Sequence, residues 1–415
     1  MMSFNYCIEK NNSTRMRRIL IENFGPISKA NIELGDLTIF VGPQASGKTV
    51  ALETIKLAED YASIIDKLNK NNYITSRIGN VLNLYFGRGM ASMWRESTRI
   101  VVDDIPFGTD RLSPSVGKEN TQETVFYIPA QRVTSVADGA GKNFQSFGFK
   151  TPYVNRQFGD TLQRFIQNGI GQQTVLFPMK TRLKSQMRKR FDDSIYHGAR
   201  VMLYDDDDLS KQMVLNIGDS ILPVQVWSAG QREFTPLLLG IYCLTGAPQN
   251  VLRNDLYNSV IIEEPEMGLH PKAISDVILQ IIELVQGEKG KNGPRRGYQV
   301  MISTHSSVFL DFAWTFELIK RCPDDRIRYS ALSDLFDIDG DGSMMRMLEG
   351  VFDKKIKVYY WGKQSGVEGT VSQDISSLDI WDDNTVMSEW GGMTTFASKA
   401  ADIVSSYSLN EAQNG

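Results

Sequence analysis

The hydrophobic residues of the chain fall into short runs with the periods of strands and helices. From Arg18, the segment ILIENFGPISKANIEL is rich in apolar residues on both sides of Gly25–Pro26, which predicts two strands joined by a turn. The run LTIFV at 37–41 precedes a glycine-rich loop, and residues 50–69 then have helical spacing. One face of this helix carries Leu52, Ile55, Ala58 and Ala62.

Later segments continue this alternation, which predicts an α/β fold. The expected order is mixed helical and loop segments at 73–123, a strand at 124–132, mostly helix at 133–198 and short strands at 199–226. Strand and helix signals alternate again over 227–320, and KIKVYYWG at 355–362 predicts one more strand.

Composition and charge narrow the class of protein. With 415 residues, the chain exceeds what one simple core usually takes, so we expect one large elaborated domain or two. A net charge of −4 and a pI near 5.6 argue against a generally basic protein that coats nucleic acid. The cysteines Cys7, Cys243 and Cys322 form no CxxC pair, which excludes a cysteine-rich zinc module and suits a reducing cytosol.

The hydropathy pattern predicts no membrane segment. The start of the chain lacks the uninterrupted apolar core of a signal peptide. The most apolar helical run, at 234–244, is too short to span a bilayer. We therefore expect a soluble, cytoplasmic protein with no membrane partner.

The strongest motif follows the apolar run at 37–41. Its residues fit G-x-x-x-x-G-K-[ST] at every fixed position: Gly42, Pro43, Gln44, Ala45, Ser46, Gly47, Lys48 and Thr49. In such a loop, backbone N–H groups surround the β-phosphate, Lys48 reaches the β- and γ-phosphates, and the Thr49 hydroxyl ligates Mg²⁺. The strand before it and the helix after it favour a site for ATP and Mg²⁺ over a chance glycine-rich turn.

Two adjacent acids end another apolar run. In VIIEEPEMGLHP, at 260–271, Glu263 and Glu264 follow three β-branched residues, where two carboxylates cost free energy unless a cation or a reacting water uses them. Beside a nucleotide site, Glu263 is placed to hold Mg²⁺ through water, and Glu264 to orient the attacking water as a base. The alternative is an acidic N-capping cluster before a helix that starts near Pro271.

Two weaker motifs lie on either side of these acids. VWSAGQREF at 226–234 resembles the LSGGQ signature of ABC-class ATPases, with matching residues Ser228, Gly230, Gln231 and Glu233. A serine and backbone N–H groups at a helix start form a phosphate-binding nest. His305 follows an apolar strand in VMISTHSSVF and matches that class's histidine near the γ-phosphate, although such a histidine alone is more often structural.

In this order, the four motifs resemble the ATPase heads of the SMC, RecF and OLD group, and the chain looks closest to stand-alone bacterial ATPases of that group. IENFGPI near the start and EEPEMGLHP are also characteristic of it. The resemblance covers 16–60, 124–132 and 215–315. It implies that Glu266 to His270 form the D-loop and that Gln131 is the Q-loop glutamine, which contacts Mg²⁺.

The resemblance implies an ABC-type P-loop head with a mixed sheet, a helical insertion and a small C-terminal extension. Its parts are a disordered extension at 1–15, an N-terminal lobe at 16–60, an insertion at 61–225, a C-terminal lobe at 226–320 and a C-terminal extension at 321–415. Two copies are expected to close head-to-tail over two ATP molecules, so that Ser228 of one chain meets the nucleotide of the other.

The same resemblance, with no effector site visible in the chain, predicts a sensor and regulator of a separate nuclease or toxin in bacterial antiphage defence. Residues 60–215 have neither the coiled-coil arms nor the CxxC hook of SMC-type proteins. One alternative is a RecF-like repair ATPase that clamps DNA through six cations at 180–190, although a solvated helical surface is the favoured explanation of that segment. Another is a scaffold in which ATP is mainly structural.

Overall fold

The computed structural model describes residues 15–108, 122–136, 138–148, 150–169, 174–205, 211–245, 254–287, 289–290, 293–294, 297–338, 342–348 and 350–379, with residues 386 and 399. Of the extension expected at 1–15, all but Arg15 lies outside these ranges. The helices in them are α1 (Lys48–Lys70), α2 (Ile78–Phe86), α3 (Tyr153–Arg164), α4 (Ser185–Phe191), α5 (Ala229–Leu244), α6 (Pro271–Gln286), α7 (Ser307–Lys320), α8 (Asp325–Leu335) and α9 (Gly342–Leu348). None of these helices is both long and apolar enough to cross a membrane.

The strands of the described residues belong to three sheets. They are β1 (Arg18–Phe24), β2 (Ile27–Glu33), β3 (Leu37–Val41), β4 (Trp94–Val102), β5 (Ile105–Pro106), β6 (Val125–Ile128), β7 (Val175–Phe177), β8 (Arg200–Asp205), β9 (Lys211–Ile217), β10 (Ser220–Pro223), β11 (Ser259–Glu263), β12 (Lys289–Gly290), β13 (Gly293–Pro294), β14 (Gln299–Thr304), β15 (Ile356–Lys363) and β16 (Thr370–Asp374). The main sheet is mixed, in the order β5-β4-β1-β2-β16-β15-β3-β14-β11-β6. β15, β3, β14, β11 and β6 run parallel to one another, whereas β1, β2, β4 and β5 are antiparallel.

The central parallel strands are apolar because both of their faces are covered. Every residue of β3, β11 and β14 is buried. Alternate residues enter two separate cores: Phe40, Ile261 and Met301 pack with apolar residues of α1, and their neighbours pack with α5, α6 and α7. The carboxyl ends of these strands therefore reach the surface at one edge between two helical layers, where a ligand site is expected.

Strands β15 and β16 lie inside the main sheet although they come late in the chain. β15 pairs in parallel with β3, from Ile356 opposite Leu37 to Tyr360 opposite Val41, and β16 pairs in parallel with β2. The two strands thus join the antiparallel part of the sheet to its parallel part. The strand expected at 355–362 is confirmed, and the sheet continues past the boundary placed at residue 320.

Some strands, β4 and β7 among them, were not expected from the hydrophobic pattern. β4 lies in 73–123, and β7 lies in 133–198, which was predicted to be mostly helical. β4 is largely exposed, so its sequence WRESTRIVV lacks the apolar alternation that indicates a half-buried strand. The short strands expected at 199–226 are confirmed by β8, β9 and β10, which form a second sheet with β7.

Candidate functional site

The loop between β3 and α1 has the shape of an anion-binding loop. Gly42 and Gly47 have φ angles of 141° and 89°, which L side chains rarely adopt, and a Cβ on Gly42 would overlap the carbonyl oxygen of Trp361 in β15. Gly47 is also the N-cap of α1, so no side chain caps this helix, and its first turn contains no acid. The N–H groups at the start of α1 are therefore available to an anion.

Lys48 is held inside this loop. Its Nζ donates to the carbonyl oxygens of Gly42 and Pro43, both at 2.8 Å, and to Ser46 Oγ at 3.3 Å. Burial lowers the pKa of Lys48 to about 8, although the carboxylate of Glu264 acts in the opposite direction. These three hydrogen-bond partners are neutral oxygens. A phosphate bound in the loop would therefore place a negative charge against the Lys48 ammonium, which none of the three supplies.

Glu263, the last residue of β11, has a carboxylate that is only partly satisfied. Its Oε2 accepts a hydrogen bond from the Ala130 N–H at 3.0 Å, whereas Oε1 is buried and has no hydrogen-bond partner of good geometry in the described part of the chain. Burial raises the pKa of Glu263, and the nearby Thr49 hydroxyl lowers it by less. An orphaned carboxylate oxygen beside a P-loop hydroxyl supplies the oxygen ligands that Mg²⁺ prefers. These residues fit a magnesium ion.

Glu264 combines a strained backbone with an accessible carboxylate. Its φ of 43° lies in the left-handed region, at a cost of about 1–3 kcal/mol for a non-glycine residue. Its N–H donates to the Ser303 carbonyl oxygen at 2.8 Å, and its Oε1 lies 3.4 Å from Nε2 of His305. The side chains of Glu264 and His305 are 31% and 29% exposed, so both are open to water.

Glu266 ties together the loops that follow β11 and β14. Its Oε1 accepts hydrogen bonds from Thr304 Oγ1 at 2.8 Å and from the His305 N–H at 2.6 Å. Because β11 and β14 are adjacent parallel strands, their carboxyl ends meet at one edge of the sheet. The acids after β11 and the histidine after β14 therefore occupy one site.

The segment 226–234 begins helix α5 and packs against the loop after Glu266. Ser228 Oγ accepts a hydrogen bond from the Gln231 N–H at 3.3 Å, and Gln231 Oε1 accepts one from the Ser228 N–H at 3.2 Å. A Cβ on Gly230 would lie 3.1 Å from the carbonyl oxygen of Gly268, so the two loops touch backbone to backbone. Ser228 itself is exposed at the start of the helix.

Gln131 lies beside the site, just after β6. It is exposed and precedes a short 3₁₀ helix at Arg132–Ser135, and its carbonyl oxygen accepts a hydrogen bond from Thr134 Oγ1 at 2.7 Å. The neighbouring Ala130 contacts Glu263 directly. Gln131 is thus near the residues that fit magnesium, and its role as a magnesium ligand stays a prediction.

Arg132 belongs to this site, although the sequence motifs did not single it out. Its side chain is completely buried. The guanidinium donates to the carbonyl oxygens of Glu233 at 3.0 Å, Glu263 at 3.0 Å and Glu264 at 3.1 Å. Burial lowers the pKa of Arg132, and the carboxylates of Glu233 and Glu266 oppose this. In the sequence, only its position at the end of a predicted strand distinguishes it from a surface arginine.

Glu53 is a second residue that the motifs missed. It lies four residues after Thr49, on the same face of α1, and is buried. Burial and the nearby carboxylate of Glu263 raise the pKa of Glu53 well above its ordinary value. Helical spacing from the P-loop threonine was the signal that could have indicated it.

Of the six cations in the basic segment 180–190, Arg188 donates to the Leu183 carbonyl oxygen inside the segment, and three have partners elsewhere in the described chain. These are the carbonyl oxygens of Tyr242 and Thr245 for Arg182, Glu283 at 2.8 Å for Lys184, and Asp276 at 2.6 Å for Arg190. The partners belong to the carboxyl end of α5 and to α6. The segment therefore anchors two helices, and it offers fewer free charges to DNA than its sequence indicates.

The chain is similar to one protein family and to several solved structures. A family model described as an AAA ATPase domain matches residues 59–310, more than half of the chain, whereas no curated protein matches. Among solved structures, the SMC head domain from Thermotoga maritima is 9% identical, with 87% of this chain and 99% of that chain covered and a TM-score of 0.36. The protein cbiO1 from Clostridium perfringens, part of the ABC transporter complex cbiONQ, is 13% identical, with 70% and 80% covered and a TM-score of 0.30.

Proposed function

Because the chain belongs to the AAA ATPase domain family and is an ATP hydrolase, we propose that two copies close head-to-tail around ATP and Mg²⁺ and thereby regulate a separate effector protein. The effector is a nuclease or toxin, and the setting is bacterial antiphage defence. The observation that carries the hydrolytic part is the contact of Glu264 with His305 at the edge of the sheet that also holds the P-loop.

The chemistry of one site follows from the residues that line it. The N–H groups of 42–49 and the ammonium of Lys48 bind the phosphates. Thr49 and Glu263 would hold Mg²⁺, which when bound neutralises charge on the phosphate oxygens. Glu264 accepts a proton from water while the water oxygen bonds to the γ-phosphorus. The bond from that phosphorus to the bridging oxygen breaks, and ADP and phosphate leave.

The arrangement of α5 supports a site shared between two copies. Ser228 and Gln231 cap the start of the helix reciprocally, and Ser228 is exposed. Gly230 packs on Gly268 of its own chain. The open start of α5 is suited to receive the γ-phosphate of a nucleotide held by the P-loop of a second copy.

A separate effector is supported by the chemistry available in the chain. Among the described residues, no group of three or more His, Cys, Asp or Glu side chains could hold a metal ion as a nuclease centre would. Opening and closing of a dimer has a biological consequence only when another molecule binds the two states with different affinity. The defence setting rests on the resemblance to stand-alone bacterial ATPases.

The experiment that tests the dimer compares the solution mass of the wild type and Glu264→Gln, each with and without Mg–ATP. We expect the variant to form a stable species of twice the mass with Mg–ATP, because ATP is bound but not cleaved. The wild type should return to the smaller species as ATP is consumed. A mass that ignores both nucleotide and substitution would exclude the ATP-dependent dimer.

The effector is sought with the same trapped protein. Tagged Glu264→Gln with Mg–ATP should retain a second protein from host extract that the tagged wild type with ADP does not. DNA binding that persists without any protein partner, and weakens steeply with salt, would instead support the DNA-clamp alternative.

A further inference from the structure

The guanidinium of Arg132 connects backbone segments that belong to three different parts of the site. One of its N–H groups reaches Glu233 in the second turn of α5, one reaches the end of β11 at Glu263, and one reaches Glu264. The planar group has its donors in a fixed fork, so these three carbonyl oxygens are held at fixed relative positions. Complete burial removes competition from water.

We propose that Arg132 is a positioning residue for ATP hydrolysis. Its guanidinium holds the backbone of Glu264 so that the Glu264 carboxylate faces His305, and it ties that backbone to helix α5, whose N-cap is Ser228. The proposal rests on the function proposed above, in which Glu264 is the base. Arg132 itself is buried and is not assigned a contact with nucleotide.

The conformation of Glu264 is the first reason. A left-handed backbone at a glutamate persists only when surrounding contacts impose it. Three contacts do so here, since the Glu264 N–H donates to Ser303 and the Glu264 carbonyl accepts from both Arg132 and the Met267 N–H. Without the Arg132 contact, fewer bonds hold this conformation, and Glu264 can relax toward the extended region that a residue before proline prefers, which would turn its carboxylate away from His305.

The charges around Arg132 are the second reason. The carboxylates of Glu233, Glu263, Glu264 and Glu266 all act on its guanidinium. Oε2 of Glu233 and Oε2 of Glu266 are buried without hydrogen-bond partners in the described part of the chain. Arg132 is thus a cation in the middle of an acidic cluster, and its loss would affect both the charge balance and the backbone geometry.

The connection to α5 is the third reason. Glu233 O lies at a turn that Pro236 loosens, because proline has no N–H to donate to the carbonyl of Arg232. A shift of α5, caused by a phosphate from the second copy at Ser228, would therefore move the guanidinium and with it the peptide of Glu264. Arg132 would thus couple the binding of that phosphate at Ser228 to the position of Glu264, the proposed base of the same chain.

Substitution by lysine separates charge from geometry, because lysine keeps the cation but lacks the planar fork. We expect Arg132→Lys to lower kcat by about 10²-fold, the loss typical of a misplaced catalytic group, with KM and the Kd of ATP changed less than about threefold. Combined with Glu264→Gln, it should lower kcat no further than Glu264→Gln alone, because both changes act through the same carboxylate.

The matched control is Arg182→Lys, at an arginine that donates to carbonyl oxygens at the opposite end of α5. This variant should lower the melting temperature but leave kcat within about twofold, since the site is not involved. Unchanged kcat in Arg132→Lys, or a loss that adds to that of Glu264→Gln, would overturn the proposal. If Arg132→Lys does not fold, Arg132→Gln is the second variant. If neither folds while Arg182→Lys does, Arg132 has a purely structural role and the proposal is wrong.

The outcomes also separate this inference from the proposed function. If Glu264→Gln leaves hydrolysis intact, the base is misassigned and both proposals fall. If Glu264→Gln abolishes hydrolysis and Arg132→Lys does not reduce it, the proposed function stands and only the role of Arg132 is wrong.

Discussion

Nε2 of His305 lies 3.4 Å from Oε1 of Glu264, and the backbone of His305 is fixed separately by Glu266. The imidazole and the carboxylate come from the ends of two adjacent strands, and both are partly exposed. One water molecule can therefore contact the two groups at the same time. Substitution of either group should affect catalysis more than folding.

We predict that His305→Gln lowers kcat by about 10²-fold, within the range for loss of a positioned catalytic group, and leaves ATP binding nearly unchanged. Phosphate release at saturating ATP and equilibrium binding of ATP measure the two effects. The control is His197→Asn, because His197 lies in a left-handed turn with φ of 51° that asparagine tolerates. Equal activity of the two variants would remove His305 from the mechanism.

Lys56 is predicted to be the residue whose loss most weakens the attachment of α1 to β6. Its Nζ contacts Asp60 Oδ2 at 2.8 Å, Glu123 Oε2 at 2.7 Å and the carbonyl oxygen of Val125 at 2.8 Å, and its side chain is fully buried. Lys56→Met removes the ammonium that contacts both Asp60 and Glu123, so we expect a loss of about 3–5 kcal/mol in the free energy of unfolding. Urea denaturation of the full chain measures it.

The control for this prediction lies on the same helix. Lys70 pairs with Asp66 at 2.7 Å with the same spacing in the sequence, but its side chain is 64% exposed. Lys70→Met should change the free energy of unfolding by less than about 1 kcal/mol, because solvent screens the pair. A similar loss in both variants would mean that the burial of Lys56 has no special energetic effect.

Glu123 should make the stability of the fold depend on pH. Burial opposes its ionisation, but Lys56 and Lys67 outweigh this and lower the pKa of Glu123 below its ordinary value of 4.5. A carboxyl with a lower pKa in the folded state stabilises the fold above its unfolded pKa, and this contribution disappears as the pH falls through the folded value. The stability difference between the wild type and Glu123→Gln should therefore shrink below pH 4.5 in urea titrations. A difference independent of pH would contradict the assignment.

Gly42→Ala should damage the P-loop through a clash rather than through backbone preference alone. A Cβ at Gly42 would overlap the carbonyl oxygen of Trp361, whereas a Cβ at Gly89 meets no atom within 4 Å. Both glycines have positive φ, so Gly89→Ala isolates the conformational cost, which is about 1 kcal/mol. We expect Gly42→Ala to lose ATP binding and to melt at a lower temperature than Gly89→Ala. Equal melting temperatures would exclude the clash.

Local patterns were sufficient to predict the elements that carry the candidate site. A strand, a glycine-rich loop and a helix at 37–70 follow from short-range rules, and so does the strand that ends at Glu263. The meeting of Glu263, Glu264 and His305 was expected from the resemblance, and the parallel pairing of β11 with β14 brings them together.

The remaining features depend on contacts between distant parts of the chain, which a single sequence does not encode locally. The position of β15 between β16 and β3 is set by pairing across the whole chain, and its apolar pattern only indicates that it is a strand. Arg132 and the cations of 180–190 show the same limit for side chains. The sequence alone does not distinguish a solvated arginine from one that donates hydrogen bonds to three buried carbonyl oxygens.

The pairing of Leu37 with both Val300 and Ile356 has a consequence for synthesis of the protein. The strand that leads into the P-loop, β3, is made long before its two neighbours, β14 and β15, leave the ribosome. Until then β3 has no partner in its sheet, and its apolar residues need protection from aggregation. A nascent chain should thus gain the ability to bind ATP only after β14 and β15 have been made, which would keep half-made copies from closing on finished ones.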